Sequence, residues 1–387
     1  MRVLHLSEAV RGGVGVYLSH LIEQQRRDRR IERVRLLVPA RHRAELDIPD
    51  DLVHTVPSGP GRLASAWRLA TAAHRLLARE RPDILHLHSS FAGLAGRVLP
   101  RPAGVRLVYC AHGWAFLRDS GKTTAALVCA AERALAWRSD AIIAISEDER
   151  RAALRARLPA PRLHRVHNGL PDIDPPPPAD WRCSKHQMRV LFVGRFDRQK
   201  GFDVFTDVAR RLGPRADCVA IGDFSADAAR PLALPPNLRR TGWLPNREVA
   251  AWLAAADVLV MPSRWEGFGL TAIEAMRAGV AVIASRVGGL PEIVDDGVTG
   301  WLVPAAEAAP IVARLAVTDR AQLAALGCAG RRRFLALFTA ERMHHGTLAV
   351  YRHCLGSELP LRTDVPSTRD DHHCPAASAR SFSQRFP

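Results

Sequence analysis

The sequence predicts an α/β protein made of two doubly wound units, each with its own parallel sheet. Short apolar runs of strand length alternate with amphipathic helical stretches along most of the 387 residues. Four consecutive prolines, Pro175–Pro178, interrupt this alternation. Because such a run joins neither a helix nor an interior strand, it marks a stiff linker. The alternation restarts after the prolines, so two units are expected.

In the first unit the apolar runs are rich in valine, leucine and isoleucine, and they read as buried strands. They lie at 2–7, 34–39, 83–88, 105–112 and 140–146. The stretches between them have helical spacing. "SEDE" at 146–149 predicts a capping box, in which Ser146 caps the next helix and Glu149 reaches back to the backbone.

The second unit repeats the pattern. Its expected strands are 189–194, 218–222, 238–244, 257–263 and 280–285, and a final helical stretch covers about 320–354. The predicted organisation is a first unit, a linker, a second unit, a C-terminal helix that packs back on the first unit, and a disordered tail. The corresponding ranges are 1–170, 171–180, 181–335, 336–355 and 356–387. In the tail, "DDHHC" is interpreted as solvated sequence in preference to a metal site.

The net charge of +16 is concentrated in the first unit, where residues 1–170 carry 28 Lys and Arg against 16 Asp and Glu. Nucleic acid is not favoured as a partner, since no zinc finger, RNP-type motif or stacking ladder accompanies the charge. Attraction to an anionic membrane surface is one interpretation. The other is a bias of nucleotide composition, because 52 of the 55 basic residues are arginine.

"FVGRFDRQKG" at 192–201 places two cations beyond the end of an expected strand. Gly194 allows the chain to leave the sheet, Arg195 offers a planar fork, and Lys200 offers a point charge at the start of the next helix. Such a pair suits a diphosphate. Since the chain has only three lysines, a lysine here indicates a chemical requirement.

"SRWEGFGLTAIEAMRAG" at 263–279 follows another expected strand and holds Glu266 and Glu274. Its glycines permit close backbone approach, and the first N–H groups of the helix that follows have no partner within the helix. Carboxylates accept hydrogen bonds from sugar hydroxyls. One carboxylate on the loop and one a turn into the helix suggest a ligand with two sugars bridged by phosphate, which is the shape of a nucleotide-sugar.

These motifs together resemble the retaining GT-B glycosyltransferases of family 4. The resemblance rests on the E-x7-E pair in "EGFGLTAIE", on "GRFDRQKG" before it and "GGLPEIVDDGVTGWLV" after it, and on "RGGVG", "DILHLH", "AHGWAF" and "VHNGL" in the first unit. It covers about residues 1–350. It implies two Rossmann-like domains that face each other across a cleft, with the acceptor on the first and the nucleotide-sugar donor on the second.

The resemblance also implies roles for individual residues. Glu274 would hold the ribose of the donor, Glu266 the transferred sugar, and Arg195 with Lys200 the diphosphate leaving group, in place of a metal ion. His112 would stabilise positive charge at the anomeric carbon or orient the acceptor. The remaining expected donor contacts are Gly13, Gly194, Gly267, Phe268, Gly269, Leu270 and Thr271, and the remaining expected acceptor contacts are Gly12 and Gly13.

The expected function is a retaining hexosyl transfer from a UDP- or GDP-sugar to a glycan or polyprenyl-diphosphate-linked acceptor in bacterial surface polysaccharide synthesis. No metal or other cofactor is expected, and no nucleic acid partner. The alternatives are a sugar-nucleotide 2-epimerase of the same fold and a non-catalytic polysaccharide-binding protein. Glu8 and Arg11 stand where a secretion signal needs apolar residues, so a cytoplasmic location is expected, with peripheral contact at the inner membrane face.

Overall fold

The structure is a computed structural model that describes residues 1–10, 12–117, 121–225 and 233–356. The described chain divides into two compact units. The first combines residues 1–171 with the stretch that begins at Thr339, and the second runs from Asp172 to Phe338. The expected tail, 356–387, with its "DDHHC" stretch, lies outside the described residues except for Gly356.

The first unit contains a parallel sheet of seven strands. These are β1 (Arg2–Ser7), β2 (Arg33–Pro39), β3 (Val53–Val56), β4 (Ile84–His88), β5 (Arg106–Cys110), β6 (Ala141–Ala144) and β7 (Leu163–Arg165). Their order is β3-β2-β1-β4-β5-β6-β7, and every pair is parallel. The sheet is therefore doubly wound, and its strand order reverses beside β1, between β1 and β4. The carboxyl ends of strands at such a point are where ligands bind in open α/β sheets.

Helices surround this sheet. They are α1 (Gly13–Arg27), α2 (Gly61–Glu80), α3 (Ser90–Val98), α4 (Lys122–Ala136), α5 (Glu147–Arg155) and, after the second unit, α12 (Ala340–Cys354). α12 packs against α1, and His344 on it lies 2.6 Å from the Asp28 carboxylate at the end of α1. The C-terminal helix is thus part of the first unit.

The second unit contains a parallel sheet of six strands in the order β10-β9-β8-β11-β12-β13. The strands are β8 (Met188–Val193), β9 (Ala216–Ile221), β10 (Leu238–Gly242), β11 (Val258–Met261), β12 (Ala281–Ser285) and β13 (Gly300–Val303). Its helices are α6 (Phe202–Leu212), α7 (Asn246–Ala255), α8 (Leu270–Arg277), α9 (Leu290–Ile293), α10 (Ala309–Ala316) and α11 (Arg320–Leu337). Both sheets match the predicted fold class.

The two cores differ in composition. In the first unit, Trp114 and Tyr109 pack among aliphatic residues and are almost fully buried. In the second, a cluster of phenylalanines on β8, α6 and the loop between them forms the centre, with Phe196 stacked on Phe202 at 4.0 Å between ring centroids. Phe196 lies in the "GRFDRQKG" loop, so the phenylalanine cluster anchors that loop to the sheet.

The proline-rich segment is bonded to the second unit. The Ala179 N–H donates to the Ala251 carbonyl over 2.9 Å, and Trp181 donates from its indole Nε1 to the Asp217 carboxylate over 2.7 Å. The boundary of the second unit accordingly lies at Asp172, earlier than the expected 181.

The predicted capping box at the start of α5 forms only in part. Ser146 accepts a hydrogen bond from the Glu149 N–H at 3.1 Å, as expected of the cap. The Glu149 carboxylate accepts from the backbone N–H of Ile145 at 3.1 Å, one residue before the position that a capping box uses. Glu149 therefore ties the end of β6 to the helix that follows.

Candidate active site

Two loops of the second unit carry most of the predicted donor-binding residues. One follows β8 and contains Gly194, Arg195 and Lys200; the other follows β11 and contains Glu266. Since β8 and β11 are parallel neighbours in the sheet, the two loops leave the same edge side by side. The prediction that these motifs lie at the carboxyl ends of strands is met.

Lys200 and Glu266 form an ion pair between these loops. The Lys200 Nζ lies 3.0 Å and 2.7 Å from the two carboxylate oxygens of Glu266, and the Ser263 hydroxyl donates to the same carboxylate at 3.3 Å. The side chains are 21% and 10% exposed. A lysine ammonium has three N–H donors, so the pair with Glu266 leaves one for a ligand. The sequence assigned these two residues to different groups of the ligand, whereas the structure joins them.

Arg195 takes part in a separate contact. Its Nε donates to the Asp197 carboxylate over 2.8 Å, and a second guanidinium nitrogen donates to the Gln199 side chain over 2.6 Å. The other oxygen of Asp197 accepts the backbone N–H of Lys200 at 2.8 Å. Asp197 therefore organises the turn from which both cations extend. Its carboxylate would share Arg195 with any phosphate that binds there.

Arg264 is a residue that the sequence reasoning missed. Its guanidinium donates to both carboxylate oxygens of Asp203 over 2.8 Å and 2.6 Å, and its backbone N–H donates to the Gln199 carbonyl over 2.8 Å. The guanidinium of Arg264 lowers the pKa of Asp203. These bonds brace the β11 loop against the β8 loop. The only sequence signal was a basic residue beside "WEGFG" in a chain full of arginine.

The helix α8 begins at Leu270 directly after the β11 loop. Its cap, Gly269, has φ of 110°, and no side chain caps the helix. Gly288, in the turn before α9, lies so close to the loop that an added Cβ would sit 1.7 Å from the Glu266 carbonyl oxygen. The glycine pair of "GGLPEI" therefore packs directly against the backbone of the β11 loop. The residues predicted to offer backbone groups to the donor form this turn and the start of the helix: Gly267, Phe268, Gly269, Leu270 and Thr271.

Glu274 lies one turn into α8 and is half-buried. It lines a small pocket together with Arg277, Ile173 and Pro175. Burial raises the pKa of Glu274, while the positive charges of Arg277 and Lys200 oppose that rise. Glu274 thus differs from an ordinary surface glutamate, since its carboxylate lies in a pocket and near two cations. This environment is compatible with the ribose-binding role that the resemblance implies.

We expect Glu274→Gln to weaken binding of the nucleotide about 10-fold, because an amide presents one acceptor oxygen to a ribose diol where a carboxylate presents two. In the unchanged protein, affinity should also fall as the pH is lowered through the raised pKa of Glu274, since protonation removes the charged acceptor. Calorimetric titration with UDP or GDP between pH 8 and pH 5 measures both effects.

The matched control is Glu248→Gln, which changes an exposed glutamate on α7. It should leave the affinity and its pH profile as they are. A Glu274→Gln protein with unchanged affinity, or one that keeps the pH dependence, would remove Glu274 from the binding site.

In the first unit, Gly12 and Gly13 stand at the exposed start of α1, directly after the strand-end loop of β1. Gly12 caps the helix with φ of 69°, and no side chain caps it. Gly15 has a different role, since an added Cβ there would lie 2.2 Å from the Val10 carbonyl oxygen. The "RGGVG" motif thus combines one packing glycine with two exposed ones, whose expected contacts with the donor and the acceptor remain predictions.

His112 follows β5 and is partly exposed, with a positive φ of 52°. Its Nε2 lies 2.9 Å from the His88 Nδ1, and its ring meets Tyr17 edge to face at 4.6 Å between centroids. Burial lowers the pKa of His112 to about 3, so the imidazole is neutral at neutral pH. A neutral ring can accept or donate one hydrogen bond but provides no fixed positive charge.

Glu8 is a second residue whose role sequence reasoning did not find. Its carboxylate accepts the Ala92 N–H at 3.0 Å and bonds the Ser89 hydroxyl. It therefore caps α3, where an acidic side chain compensates the positive end of the helix. The carboxylate follows β1 and α3 follows β4, so this bond fixes the loops at the ends of the two central strands.

Two family models match the chain. "Glycosyl transferase 4-like domain" matches residues 12–169, and "Glycosyl transferases group 1" matches residues 187–317. A relative from Klebsiella pneumoniae, "Uncharacterized 41.2 kDa protein in cps region", is 33% identical over 326 residues, which is 81% of this chain and 88% of the relative. Alpha-maltose-1-phosphate synthase of Mycolicibacterium smegmatis is 31% identical over 384 residues, 89% of this chain and 96% of that protein.

Solved structures agree with the fold. A sucrose-phosphate synthase from Thermosynechococcus elongatus superposes with a TM-score of 0.77 at 24% identity. The superposition covers 92% of this chain and 100% of the synthase. HepE of Anabaena, crystallised with UDP, superposes with a TM-score of 0.73 at 20% identity over 91% of this chain and 100% of that one. The chain therefore belongs to the group 1 glycosyl transferases, and it is a glycosyltransferase with the GT-B fold.

Proposed function

We propose that this glycosyltransferase moves a hexosyl unit, with retention of configuration, from a UDP- or GDP-sugar to a glycan or polyprenyl-diphosphate-linked acceptor. The observation that carries the proposal is the Lys200–Glu266 pair at the carboxyl ends of β8 and β11. It brings a cation for phosphate and a carboxylate for sugar hydroxyls to one place, beside the start of α8.

In this proposal the second unit holds the donor. Glu274 would bind the ribose, Lys200 and Arg195 the diphosphate, and Glu266 the hydroxyls of the transferred sugar. As the bond from the anomeric carbon to the diphosphate breaks, negative charge grows on the leaving oxygen. Fixed N–H donors and cations that meet this charge stabilise the transition state without reorganisation. His112 would contact a sugar hydroxyl as a neutral ring.

The leaving phosphate would accept the proton of the acceptor hydroxyl, so the protein needs no base for this step. The bond from the anomeric carbon to the donor oxygen breaks, the bond to the acceptor oxygen forms on the same face, and the nucleoside diphosphate leaves with the proton. Glu266, tied to Lys200 at 2.7 Å, is assigned to hydroxyl binding and not to nucleophilic attack.

A role in surface polysaccharide synthesis is supported by the relatives. The Klebsiella pneumoniae relative is a protein of a cps region. One of the structurally similar proteins is named as the lipopolysaccharide outer core galactosyltransferase WaaB, at 17% identity and a TM-score of 0.66. HepE was also crystallised with UDP and glucose. We infer an acceptor of this glycan class and a donor built on a nucleoside diphosphate.

A thermal-shift screen against UDP-, GDP- and ADP-sugars, followed by product analysis, tests the function. We expect stabilisation by one nucleotide family, as follows from binding to the folded state alone, and glycoside formation only when a glycan or lipid-linked acceptor is added. An epimerised nucleotide-sugar formed without acceptor would identify a 2-epimerase. Binding without turnover on a panel of acceptors would identify a non-catalytic polysaccharide-binding protein.

We further propose that the first unit rests on an anionic membrane through α3 and α4. These helices are joined by the buried ion pair of Arg97 and Glu132, 2.8 Å apart. Most of α4 is exposed, including Leu127 at 67%, and Trp137 directly after it is 66% exposed. The single acidic residue of α4 is the buried Glu132, while Lys122 and Arg133 are exposed. Apolar side chains flanked by cations suit a lipid surface that carries negative charge.

The described residues contain no helix with the length and apolarity to cross a membrane, so the proposal concerns peripheral contact. The double variant Leu127→Glu/Trp137→Glu should bind phosphatidylglycerol-containing vesicles about 10-fold more weakly than the unchanged protein in flotation assays. Val298→Glu combined with Val317→Glu, which puts the same two charges on exposed apolar positions of the second unit, is the control.

The membrane proposal fails if flotation does not depend on phosphatidylglycerol, or if the double variant floats as well as the control. A concentration-dependent dimer that the double variant abolishes would also contradict it, since the apolar surface would then be covered by a second copy of the chain.

A further inference from the structure

A chain of hydrogen-bonded side chains runs through the first unit and ends at His112. The Gln25 Oε1 lies 2.7 Å from the His5 Nε2, the His5 Nδ1 lies 2.9 Å from the His88 Nε2, and the His88 Nδ1 lies 2.9 Å from the His112 Nε2. Gln25, His5 and His88 are fully buried, whereas His112 is partly exposed. Among these four residues, only the His112 end is open to a ligand.

Each neutral ring has a single N–H, and this fixes which group donates and which accepts in every hydrogen bond of the chain. A neutral imidazole carries one N–H donor and one acceptor nitrogen, and burial lowers the pKa of each of these histidines. The Gln25 oxygen can only accept, so the His5 Nε2 carries the proton and the His5 Nδ1 accepts from the His88 Nε2–H. The His88 Nδ1 in turn accepts from the His112 Nε2–H. The proton of His112 is therefore on Nε2, and its Nδ1 has a lone pair.

The orientation of the Gln25 amide sets this direction, and Tyr351 on α12 holds it. The Gln25 Nε2 donates to the Tyr351 hydroxyl at 3.3 Å, and that hydroxyl lies 2.7 Å from the His86 Nδ1. The Gln25 side-chain atom next to the His5 Nε2 lies 2.7 Å from it, which is at the short end for an N–H···O bond. This distance suits the amide oxygen of Gln25 better than its amide nitrogen.

We propose that Gln25, His5 and His88 are positioning residues that hold His112 in its Nε2–H tautomer, so that its Nδ1 accepts a hydrogen bond from a sugar hydroxyl. The identity of the ligand, a sugar hydroxyl, rests on the proposed function. The tautomer itself is a property of the free protein. Without the chain, His112 would exchange between two tautomers, and only one of them has an acceptor at Nδ1.

A metal site is the alternative explanation of this histidine cluster, and the experiment must distinguish it from the proposed hydrogen-bond chain. One ring nitrogen from each of His5, His86 and His88 lies within 4.8 Å of the others, a spacing that a divalent ion could use. Both ring nitrogens of His5 and of His88 already take part in the hydrogen bonds of the chain. A bound zinc ion would replace at least one of these bonds and remove the proton on which the proposed direction depends.

Nitrogen-15 NMR on histidine-labelled full-length protein tests the tautomer directly, because the protonated and unprotonated ring nitrogens have separate chemical shifts. The His112 signals are assigned with a His112→Gln variant. We expect a protonated Nε2 and an unprotonated Nδ1 at pH 7.5. Gln25→Leu should produce a mixture or the opposite tautomer. Gln25→Glu, whose ionised carboxylate can only accept, should restore the Nε2–H form.

Turnover provides the second measurement. Gln25→Leu should lower kcat/KM about 10-fold, the scale of one hydrogen bond, and Gln25→Glu should recover most of it. Gln24→Leu is the control, since Gln24 is the neighbouring residue on α1 and bonds Glu341 at the surface. A purely structural effect of Gln25 would lower activity without moving the NMR signals.

Three results would overturn the proposal. These are an Nδ1–H tautomer of His112 in the unchanged protein, a Gln25→Leu variant that folds and keeps the Nε2–H form, and a stoichiometric metal found by elemental analysis of the purified protein. If the tautomer is as expected but no sugar transfer is found with any donor, the proposed function fails while the tautomer lock stands.

Discussion

Lys200→Ala is expected to lower kcat at least about 100-fold, with the protein still folded. The loss of one preorganised donor to a developing negative charge has this scale. Lys200 lies in the loop between β8 and α6, and its ammonium is held by the Glu266 carboxylate at 3.0 Å and 2.7 Å. The variant removes the charge for the leaving diphosphate and leaves Glu266 without its cation. Release of nucleoside diphosphate from the donor measures the rate.

Lys185→Ala is the matched control, because Lys185 is an exposed lysine of the same unit. Lys200→Arg adds a second test. It keeps the charge but replaces a compact ammonium with a planar fork, so a partial recovery is expected. Lys200→Ala with kcat within a few-fold of the unchanged protein, under conditions where Lys185→Ala is fully active, would refute the role of Lys200 in stabilising the leaving group.

The first unit is expected to lose stability steeply as the pH falls from about 6.5 towards 4. In the folded state burial lowers the pKa of His5 to about 4 and of His112 to about 3, and those of His86 and His88 are also lowered. In the unfolded chain these side chains titrate near pH 6.5. Between these values the unfolded state binds protons that the folded state does not, so the free energy of unfolding decreases with falling pH. Each histidine contributes up to about 1.4 kcal/mol per pH unit.

Urea unfolding at pH 7.5 and pH 5.5, read by hydrogen exchange in peptides from β1 and β4, measures this loss within the first unit. His86→Asn should make the pH dependence shallower, because it removes one of the four groups. His345→Gln, which changes an exposed histidine on α12, should leave it unaltered. Equal stability at the two pH values would mean that these histidines do not stay neutral in the fold.

The central strands of both sheets were predictable because they are buried on both faces and read as continuous apolar runs. The strands that the sequence did not predict are β3, β7 and β13, which lie at sheet edges. An edge strand is short and packs on fewer neighbours, so it can contain polar residues, as "VHTV" in β3 and "LHR" in β7 do. The patterns of β3 and β7 are then too weak to separate from a loop, and the apolar β13, "GWLV", is only four residues long.

The candidate site was predictable to the level of its loops. Glycines and charges at strand ends have a local signature, which placed Arg195, Lys200 and Glu266 correctly beyond β8 and β11. Their pairing was not predictable, because the Lys200–Glu266 contact joins residues far apart in the chain and depends on the neighbouring positions of two strands.

The clustering of histidines can be predicted from the sequence only when the register of the strands in the sheet is known. His86 and His88 alternate along β4 and therefore share one face of it, and His5 is the register partner of His86 on the parallel strand β1. Each histidine alone reads as an ordinary core residue. The order of strands in the sheet brings the three rings into one cluster, in which His5 and His88 are hydrogen-bonded and His86 lies against both.

The central step of the proposed function is a diphosphate bound by Lys200 and Arg195 with no divalent ion. The direct test is nucleoside diphosphate release by the purified protein with its donor and acceptor, measured with excess EDTA and again with added Mg²⁺ or Mn²⁺. We expect the same kcat in all three conditions. A rate that disappears with EDTA and returns with the metal would show that an ion, and not the two side chains, neutralises the leaving group.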